Sequence, residues 1–113
     1  MTPAAESHDH AKTKMGVLAI LRDTFYETAE TRERIPIEPL MVANVLGVDV
    51  KYVKGAIAEL IRLGMAQPIP GTASPQLAVT QGEVEITATG FAALHEHELG
   101  FPLPQLRSEP NGL

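Results

Sequence analysis

Residues 35–64 read IPIEPLMVANVLGVDVKYVKGAIAELIRLG, and the pattern of this stretch decides the fold class. Pro39 stands where a helix can begin, since the first helical N–H has no partner inside the helix and proline loses nothing by lacking it. Leu40, Val42, Ala43 and Leu46 are the core candidates of that helix. Gly47 ends it, because glycine accepts the left-handed backbone that a helix stop often takes. Val48 is expected as a buried turn residue. Asp49 is a good N-cap, with a carboxylate that can accept the unpaired N–H groups opening the next helix. That helix runs over 50–63. Val53, Ile57, Leu60 and Ile61, completed by Leu63, form its buried stripe, and Gly64 stops it.

Outward from this two-helix unit, the N-terminal side carries another helix over residues 11–31. Leu18, Leu21, Phe25 and Ala29 recur at spacings of three, four and four, and so share one face. Arg22, Asp23, Glu27 and Glu30 take the other. Residues 1–10 are small, polar and Pro-containing, and read as a flexible terminus. Around Pro36 the β-branched residues 35 and 37 predict a short extended strand. On the C-terminal side, residues 65–69 read as a strand limited by Pro68 and Pro70. Residues 71–82, GTASPQLAVTQG, read as a loop or hairpin tip. Residues 83–86 alternate polar and apolar, as a half-buried strand does. Thr87 can cap a last helix over 88–99, with Phe91 and Leu94 inward. Residues 100–113 carry Pro102, Pro104 and Pro110 and read as a Pro-rich tail.

The chain has 113 residues, 44% hydrophobic and 20% charged, the profile of one soluble domain. Five aromatic residues (three Phe, two Tyr) leave an aliphatic core. The absence of Cys excludes disulfides and thiolate metal sites. No apolar run approaches membrane-spanning length and the N-terminus has no signal core, so the expectation is a cytoplasmic protein with no membrane partner. His8 and His10 flank Asp9, and His95 and His97 flank Glu96. Alternate residues on a helix do not share a face, so these pairs are read as solvated side chains, with no metal and no cofactor. There is no nucleophile–base pair, no phosphate-cradling Gly-rich loop and no carboxylate pair with a pocket, which argues against an enzyme.

The expected class is therefore mainly α with a small β-hairpin (α+β). The order is helix, strand, helix, helix, strand, loop, strand, helix. In that order the chain resembles the winged helix-turn-helix domain of MarR-like and PadR-like bacterial transcriptional regulators. Val42-Ala43 followed by Leu46-Gly47-Val48 looks like the family's "LA…LGV" second helix and turn. Val53, Ile57, Leu60 and Leu63-Gly64-Met65 look like its third-helix core and "LxxLGL" exit. Ile86-Thr87-Ala88-Thr89-Gly90 followed by Leu94 looks like the "LTxxG…L" start of the helix after the wing. The likeness covers about residues 15–99.

The resemblance implies a third helix lying in the major groove of double-stranded DNA and a wing touching an adjacent phosphate. Carried over by position, the nucleic-acid-binding residues are Lys51, Tyr52, Lys54, Gly55 and Arg62. Arg32, Arg34, Lys12 and Lys14 are further phosphate contacts. A homodimer through the first helix, the last helix and the tail would double these contacts. One departure stands out: between Arg62 and Arg107 there is no Lys or Arg, while Glu83, Glu85, Glu96 and Glu98 fall there. With a net charge of −5, this favours, as the alternative to a small DNA-binding regulator, a winged-helix protein-interaction module with an acidic wing.

Overall fold

The structure is a computed structural model that describes residues 8–31 and 35–99. Five helices and a two-stranded sheet come in the order α1 (His10–Thr28), α2 (Pro39–Leu46), α3 (Val50–Arg62), β1 (Ala66–Pro68), α4 (Pro75–Thr80), β2 (Val84–Ile86) and α5 (Ala88–Leu99). The chain is mainly helical with a small antiparallel sheet.

The helix ends obey local chemistry. Asp9 caps α1, its Oδ1 accepting the Lys12 N–H at 3.0 Å. His8, Asp9 and His10, read from the sequence as the end of a flexible terminus, are thus part of the folded body. Pro39 opens α2, and Gly47 closes it at φ 72°. Gly64 takes φ 77° after α3. Thr87 sits at the head of α5. Its Oγ1 donates to the Gly64 carbonyl at 2.6 Å and accepts the Gly90 N–H at 3.1 Å, tying that helix to the end of α3.

The core lies between α1, α3 and the sheet. Val17, Leu18 and Leu21 of α1 meet Val53, Ile57 and Leu60 of α3, with Val84, Ile86 and Leu94 closing the other side. Helices α1 and α2 approach closely at Gly16: a Cβ there would stand 2.9 Å from Leu46 Cδ2, the end of a side chain that can turn aside. In the sheet Ala66 pairs with Ile86, Gln67 with Glu85 and Pro68 with Val84. Val84 and Ile86 face the core, and Glu85 takes the outer face, where it accepts the Gln67 Nε2–H at 2.8 Å.

Four expectations are corrected, one of them Leu63, read as completing the buried stripe of α3 but 37% exposed because it stands at the C-cap, past the last full turn of the helix. Residues 35–38 are extended but form no strand. Pro36 has no N–H to donate, and the segment is held by a backbone bond from the Ile37 N–H to the Gly82 carbonyl at 3.0 Å. Residues 71–82 are not a bare hairpin tip. Pro75 starts the short helix α4, which folds back onto α3 and β1 and buries Ala78 completely. Leu40, expected in the core, is 65% exposed, because α2 turns Val42 and Ala43 inward instead.

Candidate nucleic-acid interface

Asp49 builds the start of α3. Its Oδ1 accepts the Lys51 N–H at 2.9 Å and its carbonyl accepts the Tyr52 N–H at 3.0 Å. With the cap fixed, helical geometry sets the direction of each later side chain. Val53, Ala56, Ile57 and Leu60 turn into the core. Lys51, Gly55, Ala58 and Arg62 are exposed at spacings of four, three and four, so they form one straight outer stripe. Lys54 lies half-buried beside it. Gly55 has nothing within 4 Å of where a Cβ would stand, so the middle of the stripe is open and low.

Tyr52 belongs to a different surface. Its ring stacks on His8 with centroids 3.7 Å apart and planes within 7°. His10 meets the same ring edge-on at 5.7 Å. His8 is held in turn by Thr13, with Nε2 and Oγ1 2.7 Å apart. The Lys51 Nζ lies 5.2 Å from the Tyr52 ring centroid, within the range where an ammonium is attracted to an aromatic face. Tyr52 therefore fastens the N-terminus of α1 to α3, and its faces are largely taken up inside the chain.

Between these two helices runs a groove of about 550 Å³, lined by His10 and Lys14 from α1 and by Lys51, Tyr52, Gly55, Ala56 and Glu59 from α3. Glu59 is the single acid there among the described residues. Arg62 Nε donates to its Oε1 at 3.0 Å, and a second guanidinium N–H reaches Oε2. These hydrogen bonds hold the Glu59 carboxyl below the usual carboxylate range, and the nearby charge of Lys14 adds to the effect. The same pairing raises the Arg62 guanidinium above its ordinary value. Arg62 is thus partly neutralised, and the cations open to a ligand are Lys14 and Lys51, with Lys54 alongside.

The sequence-derived candidates separate accordingly. Lys51, Lys54, Gly55 and Arg62 lie on or beside the outer stripe of α3. Lys14 joins Lys51 across the groove. Lys12 faces a separate cleft with His8, Asp9, Thr13 and Gly47. Arg32 and Arg34 lie outside the described residues, as does the tail. His10 was not among the candidates; its signal was its place four residues before Lys14 on one face of α1. His95 and His97 are exposed on α5, and among the described residues no three His, Asp or Glu side chains come together as metal ligands. No helix of the described residues is long and apolar enough to cross a membrane.

Comparison with protein-family models, curated proteins and solved structures returned no significant match.

Proposed function

We propose that the chain is a small DNA-binding regulator of the winged helix-turn-helix type that meets duplex DNA through α3, working as a homodimer. The observation that carries this reading is the outer stripe of α3: Lys51, Gly55, Ala58 and Arg62 in line behind an Asp49 cap, with Lys54 beside them. A low, open helix face flanked by ammonium groups suits close approach to a phosphate backbone and the groove beside it. Lys14 extends the positive rim onto α1. The order of α1, α2, α3, a two-stranded sheet and α5 supports the same reading. The folded-back α4 replaces a projecting wing, so the contacts rest on α3 and its rim.

Fluorescence anisotropy with a mixed-sequence duplex at low salt tests this. Binding is expected to weaken steeply as salt rises, since each neutralised phosphate releases counterions. The double variant Lys51→Ala/Lys54→Ala is expected to reduce the salt slope by about 1 per lysine removed. Binding unaffected by that variant eliminates the α3 reading.

A second reading, a protein-interaction module, is favoured by one observation: the chain from Arg62 to Arg107 has no Lys or Arg between those two residues and carries Glu83, Glu85, Glu96 and Glu98. Such a surface repels DNA at close range. Wild-type protein that is folded yet shows no duplex binding at low salt selects this reading.

A further inference from the structure

The groove between α1 and α3 differs in shape from the convex stripe beside it. It is a hollow of about 550 Å³ between two packed helices. Small-molecule sites are concave, of about 300–1,000 Å³, with a few polar groups set among apolar ones. The positive groups come from both walls. Lys14 of α1 is half-buried and Lys51 of α3 is exposed, and neither forms an ion pair among the described residues. The Glu59 carboxylate is already held by Arg62 through two hydrogen bonds. The lining thus keeps two ammonium groups with no paired acid, in a chain whose net charge is −5.

The two helices set the order of groups along the groove. His10 meets the Tyr52 ring at one end. Lys14, one turn further along α1, stands close enough for its charge to act on Glu59. On α3, Lys51, Gly55 and Glu59 follow at intervals of four and so line up on one face. Gly55 therefore lies between Lys51 and Glu59, with Lys14 across the groove. Nothing stands within 4 Å of where a Gly55 Cβ would be. Ala56 beside it adds a single methyl group. The middle of the groove is bare backbone and one methyl, flanked by two ammoniums and closed at the far end by a carboxylate.

We infer that this groove binds a small phosphate monoester with a flat, uncharged body. Near neutral pH such a group carries a charge of about −2, which matches the two unpaired ammoniums. Lysine binds phosphate as a point charge and needs no fork geometry. The phosphate stands between Lys14 and Lys51, and the body lies along Gly55 and Ala56, where a longer side chain would block it. Glu59 repels a second anionic group at the far end, so a ligand with one charged end is favoured over a bisphosphate. The site needs no duplex and stands or falls independently of DNA binding.

Amide NMR titration of the full chain with phenyl phosphate, at low salt and without DNA, tests this. The Gly55 and Ala56 signals are expected to shift in a saturable way. Inorganic phosphate lacks the body and benzoate lacks the second charge, so each is expected to bind roughly tenfold more weakly or worse. Lys14→Gln and Lys51→Gln are each expected to weaken binding about tenfold, the loss of one charge-assisted hydrogen bond. Gly55→Leu fills the floor and is expected to abolish binding, while leucine's higher helix propensity keeps α3 folded. A wild type without saturable shifts overturns the inference, as does binding that persists in Gly55→Leu or is unaffected by both lysine substitutions. Inorganic phosphate or benzoate binding as tightly as phenyl phosphate overturns the ligand class.

Discussion

Gly55 and Gly82 are both glycines in or beside short elements, yet the surroundings give them opposite roles. Gly82 has φ 71°, and a Cβ there would fall 1.8 Å from the Ile37 carbonyl oxygen. The same residue's carbonyl accepts the Ile37 N–H, so Gly82→Ala breaks the backbone bond that holds residues 35–38. Urea denaturation is expected to show a loss of ~3 kcal/mol or more, the range typical of backbone strain and broken buried contacts. Gly55 is helical and open. Gly55→Ala is expected to raise stability by about 1 kcal/mol, the difference in helix propensity. If α3 meets DNA, the added methyl stands on the contact stripe and anisotropy shows weaker binding despite the more stable fold. Affinity unchanged by the methyl would move the contact away from Gly55. Asp49→Ala removes the cap of the same helix, with an expected cost of ~1 kcal/mol in the same assay.

At the scale of elements, α3 carries its own ion pair. Glu59 and Arg62 are one turn apart, and both are largely solvated, so their pairing adds little to stability. Its sign is defined. Glu59 has a folded-state pKa below its unfolded value, so its contribution is present above the unfolded pKa and is lost as pH falls through the folded one. The difference in thermal midpoint between wild type and Glu59→Gln is therefore expected at neutral pH and to vanish in acid. The same substitution removes the acid of the described groove lining and releases Arg62. On the proposed reading it tightens duplex binding, and anisotropy showing weaker binding would count against that reading. The elements also show what local pattern can and cannot reveal. Helices α2 and α3 were legible because Pro39, Gly47, Asp49 and Gly64 mark their ends through backbone chemistry alone. The short α4 was not. Six residues, PQLAVT, cannot by themselves offset the cost of nucleating a helix. It forms because Ala78 finds a site against α3 and because Gly82 can turn the chain beside Ile37.

For the molecule as a whole, the junction of α1 and α3 is the main support. Ile57 has no solvent exposure and sits at its centre. Ile57→Ala is expected to cost about 2–5 kcal/mol, within the usual range for an aliphatic core truncation. The α1–α5 contact is of another kind. Arg22 NH1 reaches both Glu98 carboxylate oxygens, at 3.0 and 2.9 Å, and Phe25 meets Phe91 edge-on at 5.3 Å. Those side chains join the first and last helices within the chain. By itself the sequence determined the helical class, the two-helix unit and its caps, and the lysines of α3, because each depends on neighbours within a few residues. Only the tertiary structure decided that Leu40 faces out, that Tyr52 is taken up by His8 and His10, and that the loop between the strands folds back as α4. Those outcomes depend on contacts between residues far apart in the chain, and periodicity carries no record of which face will find a partner.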